Sequence, residues 1–221
     1  MFVKNSRNVL IILSTILSAL MLIQCKAPVE QNSDSNTTEQ EITESTILDL
    51  PEEDVSEDEL NGLIFMREEE KLARDSYQIL YNSWSQRIFS NISESEQKHM
   101  DAILILLNKY ELPDTVQNDT IGVFQNDELQ QLFSTLMELG SSSLIEALKV
   151  GALIEETDIL DIQFELDEHV DNQDIIIVYE NLLRGSGNHL RAFVRNLSKQ
   201  GISYDPQLLS EDQYRDIING E

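Results

Sequence analysis

The feature that most constrains this chain is a set of ionisable side chains on the apolar stripes of four separate amphipathic segments. Glu70 shares its stripe with Leu63, Met66, Ala73, Tyr77 and Trp84, and Glu96 and His99 share theirs with Ile92, Ile103, Leu106 and Tyr110. Glu155 and Asp158 lie with Leu144, Leu148, Gly151, Ile159 and Ile162. His189 lies with Ile175, Val178, Leu182, Ser186, Phe193 and Leu197. Apolar residues recur at intervals of three and four rather than two, so each segment reads as a helix with these residues on its inward side. Burying carboxylates and imidazoles is costly unless something compensates them. Metal ions held between facing helices are the usual compensation for such a set. The pattern therefore predicts an all-α fold, a four-helix bundle around a metal centre.

Local signals set the boundaries. Ser56 and Glu59 have capping-box spacing and open the first long helix. The second starts near Asn91 and stops before Leu112-Pro113, because proline disfavours helical geometry in the residue before it. Residues 114–126 read as irregular, and a short helix from about Asp127 to Leu139 ends at Gly140. The third long helix runs from about Ser142 to Asp167 and the fourth from about Gln173 to Gln200, joined by a polar turn at Asp171-Asn172. One more short helix is expected near Ser210 to Ile218. The connection between the second and third long helices is much longer than the other two, as in ferritin-like bundles with one long crossover.

Residues 1–24 read as a signal peptide, with Lys4 and Arg7 followed by an almost continuous apolar run from Val9 to Ile23. The run ends Leu22-Ile23-Gln24-Cys25, and Cys25 is the only cysteine. This ending resembles the bacterial lipoprotein signal, in which the cysteine becomes the lipidated first residue, although Gln24 replaces the usual small residue. The expected location is the bacterial cell envelope, periplasmic or surface-exposed, with the membrane reached through the lipid on Cys25. The competing reading is a signal anchor with an incidental cysteine. Residues 25–55 are rich in Ser, Thr, Asn, Gln and Glu and read as a disordered acidic tether, leaving 56–221 as the folded domain. A formal charge of −26 excludes nucleic acid as a partner, since phosphate contact needs a basic patch. With one cysteine, neither a disulfide framework nor a thiolate metal site is available.

Glu96-x-x-His99 puts a carboxylate and an imidazole one turn apart, so that the Glu bridges two ions while the His caps one. Glu155 and Asp158 form a second one-turn pair. Glu68, Glu69 and Glu156 read as solvated, and His169 as a contact to the C-terminal end of the third helix rather than a ligand. Tyr77 reads as a core aromatic whose candidate catalytic role is a hydrogen bond or an electron-transfer contact to a ligand. Should no metal bind, Glu96 would be an uncompensated buried charge, and Glu96→Gln would stabilise the fold.

Three blocks carry a family resemblance. They are Arg67-Glu68-Glu69-Glu70-Lys71-Leu72-Ala73-Arg74-Asp75, Gly151-Ala152-Leu153-Ile154-Glu155-Glu156, and Arg184-Gly185-Ser186-Gly187-Asn188-His189-Leu190-Arg191-Ala192-Phe193. Over about residues 57–205 the chain resembles an uncharacterised bacterial family of the ferritin-like superfamily, the domain of unknown function 2202. The resemblance implies a ferritin-like bundle and no established reaction. Where di-iron relatives of that superfamily carry Glu-x-x-His on the fourth helix, this chain has Ser186 before His189, and Asp158 is the candidate to supply the missing carboxylate.

The expected ligands are Glu70, Glu96, His99, Glu155, Asp158 and His189 around two iron ions or manganese, with Glu96 and Glu155 bridging. The implied partners are these metal ions, oxygen or peroxide, the membrane through the N-terminal lipid, and a second copy in a homodimer. The alternative is a non-enzymatic, lipid-tethered binding domain with a degenerate metal site.

Overall fold

A computed structural model describes residues 42–117 and 119–220. Among the described residues there are seven helices and no strand. They are α1 (Glu44–Leu48), α2 (Glu57–Trp84), α3 (Arg87–Lys109), α4 (Asp127–Gly140), α5 (Leu144–Glu168), α6 (Gln173–Lys199) and α7 (Glu211–Asn219). The capping box is present: Ser56 Oγ accepts from the Glu59 N–H at 3.1 Å, and Glu59 Oε2 from the Ser56 N–H at 2.9 Å. α2 ends at Ser85, whose left-handed backbone (φ 53) turns the chain so tightly that α3 starts at Arg87, about a turn earlier than expected.

Contacts at the helix ends fix the directions. Glu59 at the start of α2 accepts from the Asn172 N–H at the α5–α6 turn (3.1 Å), while Trp84 at its end donates to Gly140 O, just before α5 (2.9 Å). Lys109 and Tyr110, at the end of α3, bind Asp174 in the first turn of α6, each at 2.7 Å. α2 and α6 therefore run one way and α3 and α5 the other. Because α3 and α5 are parallel, the chain must travel back along their length between them. Residues 110–126 and α4 make that journey. α2 and α6 each pack on both α3 and α5, around fully buried Leu63, Met66, Tyr77, Ile103, Leu106, Ile162, Val178, Leu182 and Phe193.

The crossover is bound by the outward side of α2. Arg67 meets Asp114 through two N–H···O bonds of 3.0 Å and also donates to Met100 O at 2.8 Å. Lys71 donates to Asp75 (2.5 Å) and Thr120 O (2.9 Å) and lies 4.6 Å from the centre of the Phe124 ring. Arg74 bridges Asp75 and Asp119, and Asp75 also accepts from the Gly122 N–H (2.9 Å). Glu68, expected in solvent, accepts from the N–H groups of Gln125 (2.7 Å) and Asn126 (2.9 Å) and is buried. Glu156 is likewise buried, accepting from Tyr204 Oη and the N–H groups of Gln207, Leu208 and Leu209 in the C-terminal tail. Both corrections have one cause: a distant segment covers the face that the helix's own periodicity marks as outward.

A third correction concerns the tether, expected to be disordered over 25–55. Its last part folds: α1 is capped by Thr43, and Ile47 is fully buried. Lys109 Nζ donates to the carbonyls of Ile47 (3.1 Å), Leu50 (2.9 Å) and Pro51 (3.3 Å), satisfying groups that a helix end leaves open. A polar average composition hid one apolar anchor and one distant lysine. The signal peptide (1–24), Cys25 and the tether up to residue 41 lie outside the described residues. No described helix is long and apolar enough to cross a membrane.

Candidate metal centre

Four helices each send ionisable groups to one buried place. α2 supplies Glu70, α3 Glu96 and His99, α5 Glu155, and α6 His189, all at most 5% exposed. His99 Nδ1 lies 2.7 Å from Glu96 Oε2 and 3.2 Å from Glu70 Oε2. His189 Nδ1 lies 2.9 Å from Glu96 Oε1 and 3.4 Å from Glu155 Oε2. These residues form two groups of three, Glu70–Glu96–His99 and Glu96–Glu155–His189, and in each the ligand atoms lie within 4.8 Å of one another. Glu96 belongs to both, with one oxygen towards each imidazole. The two imidazole rings stack at 5.7 Å between centroids.

The surrounding residues hold this arrangement. Tyr77, fully buried, donates from its hydroxyl to Glu155 Oε1 and lies 3.3 Å from Gly151 O, so it orients a carboxylate of the centre. Gly185 lets α6 approach: a Cβ there would stand 2.6 Å from His99 Nε2. Ser186 Oγ donates back to Leu182 O at 3.1 Å, so it is engaged with its own helix. Asp158 is buried but joins neither group of three. It lies one helical turn along α5 from Glu155, beside a small cavity that Glu69 also lines. His169 caps α5 and meets Glu165 Oε2 at 3.1 Å, apart from the centre.

Residues 59–221 match the uncharacterised protein domain DUF2202. The chain belongs to this family. The uncharacterised protein MJ0754 of Methanocaldococcus jannaschii is 54% identical over 173 residues, covering 78% of this chain and 93% of that one. The crystal structure of hypothetical protein MJ0754 from Methanococcus jannaschii DSM 2661 matches this fold with a TM-score of 0.75 at 54% identity, over 77% of this chain and 97% of that one. The DUF2202 family thus reaches an archaeon, beyond the bacterial family expected from the sequence blocks.

Within this DUF2202 domain, sequence reasoning missed a further buried set: Glu69, Asp161, Glu165 and Tyr179. Glu69, expected in solvent, faces Asp161 across the α2–α5 contact, and burial followed by Asp161 pushes its carboxyl well above the usual range. Burial, then Glu70 and Glu69, does the same to Asp158. The signal was available, since Asp161 and Glu165 continue the stripe of Glu155 and Asp158 at intervals of three and four.

The metal-free centre holds protons. Burial opposes charge on His99, but Glu70 and Glu96 outweigh it and raise its pKa from 6.5 to about 10. Burial opposes charge on Glu96 too, yet His189 and His99 hold it below the usual carboxylate range. Burial pushes Glu70 up to about 7 against the pull of His99, and Glu155 up to about 7 against that of His189. Burial likewise opposes charge on His189, but Glu96 and Glu155 outweigh it and raise it well above its usual value. All four raised groups bind protons more tightly folded than unfolded, so each stabilises the apo fold at low pH and loses that contribution as pH rises through its folded pKa. For Glu70 and Glu155 the loss runs from 4.5 to about 7, and for His99 from 6.5 to about 10. The chelated domain should therefore melt at falling temperature as pH is raised through this window, and any metal bound at these groups would be held more tightly, because the same protons must leave. Calorimetry at stepped pH checks this. A melting temperature that climbs across the window contradicts the proton-loaded centre.

Proposed function

We propose that the protein is a ferritin-like metal protein whose four long helices hold a dinuclear iron or manganese centre that reacts with oxygen or peroxide. The observation that carries this reading is Glu96, a buried carboxylate shared by two groups that each add one more carboxylate and one imidazole. Carboxylate and imidazole donors suit these metals, and Glu70 Oε1 is buried without a hydrogen-bond partner, as a ligand oxygen awaiting a cation would be. Bound as a pair, such ions supply the electrons for reducing oxygen or peroxide. In each position His99 or His189 would cap an ion, Glu70 or Glu155 would close the outer side, and Glu96, common to both groups, would be shared. Tyr77 would fix Glu155 by donating a hydrogen bond to its Oε1, its own proton held tightly by burial and the Glu155 charge. Asp158, one helical turn from Glu155, would add a fourth carboxylate to balance the charge of two divalent ions. Lipid attachment at Cys25 and delivery to the cell envelope belong to the same proposal and rest on the signal-like N-terminus.

A second reading, a tethered binding domain with one ion or none, is favoured by Ser186, whose hydroxyl is turned to Leu182 where a carboxylate would complete the second position. Anaerobic equilibrium dialysis of the chelated chain against Mn(II) or Fe(II) separates the two. Close to two ions per chain, followed by oxygen consumption when the Fe(II) form is exposed to air, is the expected result. One ion supports the second reading, and none ends the dinuclear proposal.

A further inference from the structure

The polar interior extends beyond the centre. Along α5 the side chains of Glu155, Asp158, Asp161 and Glu165 follow one another on the inward face, each at most 6% exposed. From Glu155 to Glu165 this file spans about 15 Å at the rise of an α-helix. α2 lines the other side with Glu69 and Glu70, also buried. The cations of α2, Arg67, Lys71 and Arg74, are engaged with the crossover on the opposite side. At the outer end, Glu165 Oε2 meets the partly exposed ring of His169.

Two observations indicate that something passes along this file. Tyr179 Oη is fully buried with no hydrogen-bond partner, and it is aimed at the same place as Glu165. Gly62 faces both: a Cβ there would stand 2.4 Å from Glu165 Oε2 and 3.5 Å from Tyr179 Oη. A line of buried acids with an unpartnered hydroxyl is costly as a structural filling. It suits a small divalent cation moving from one oxygen to the next.

We propose that Glu165, Asp161 and Glu69 form the route by which a divalent cation travels from the α5–α6 end of the molecule to the centre. This rests on the metal-binding reading and adds to it the path of entry. Carboxylates along a low-dielectric passage, giving up their protons as a cation meets them, raise the local cation concentration and the rate of association, here by about tenfold or more. They leave the final occupancy to the ligands.

Co(II), whose visible absorption changes on entering a protein site, is the probe. Chelated full-length chain is mixed rapidly with Co(II), and the double variant Asp161→Asn with Glu165→Gln is compared with wild type. The variant should fill at least tenfold more slowly and reach the same final Co(II) per chain, with each single substitution giving part of the slowing. Asp167→Asn, on the exposed side of the same helix, should fill like wild type. These substitutions keep the side-chain shape and remove buried like charges, and thermal melts confirm that folded protein is compared. An unchanged rate in the double variant overturns the route. A lowered final occupancy overturns it too, because the residues would then be ligands. Wild type that takes up no Co(II) ends the metal-centre reading itself, whereas normal uptake with an unaffected variant removes only the route.

Discussion

In the proposed centre Glu96→Ala should remove nearly all metal binding, from an expected two Mn(II) per chain to almost none. Glu96 is the one carboxylate common to both groups of three, so its loss takes a ligand from each position at once. Loss of a group that only supports a ligand costs roughly 10–100-fold in affinity, and loss of a shared ligand should exceed that at both positions. Titration calorimetry with Mn(II) reads the effect directly. His169→Ala should leave the stoichiometry unchanged, since His169 meets Glu165 and neither group of three. Two ions retained by Glu96→Ala would show that it is no bridge. The companion variant Glu96→Gln reverses a sign expected from sequence. Glu96 lies between His99 and His189, at 2.7 and 2.9 Å, so in the apo protein it is compensated, and its neutralisation should lower apo stability rather than raise it.

Asp75→Ala should be the most damaging single change to the fold. The Asp75 carboxylate is fully buried and accepts from Lys71 (2.5 Å), Arg74 (2.7 and 3.0 Å) and the Gly122 N–H (2.9 Å). Removing it leaves two buried cations facing each other and takes the Gly122 anchor from the crossover. Breaking a buried pair by deleting one partner costs about 3–5 kcal/mol. In a domain of this size that corresponds to a fall of roughly 10 °C in melting temperature. Limited proteolysis should then cut first within 114–126. The exposed Lys149–Glu146 pair, with side chains 42% and 41% accessible, offers the contrast. Lys149→Ala should change stability by less than about 1 kcal/mol. A similar effect of the two substitutions would mean that the Asp75 network contributes little to holding the crossover.

Helical periodicity found Glu70, Glu96, His99, Glu155 and His189 because each sits on the stripe of its own helix, where burial is decided by local spacing. It also placed six helices, missing mainly the early start of α3, which depends on the left-handed Ser85. It failed where burial is supplied by a partner far away in the chain. Glu68 is covered by residues of the crossover, Glu156 by the C-terminal tail, and α1 is held by Lys109. Asp158 shows a finer limit. Its burial was legible, but whether it joins a group of three depends on about one turn along the helix axis, which periodicity does not resolve.

The connectivity has a consequence for how such a chain is made. α2 and α3 form the first hairpin, and between them they carry one whole group of three, Glu70, Glu96 and His99. The other group borrows Glu96 and takes Glu155 and His189 from the second hairpin. A chain emerging from the ribosome has therefore supplied all three residues of one triad before its second half is made, and the other triad needs α3, α5 and α6 together. The two positions differ in their order of birth, although they are near mirror images in composition.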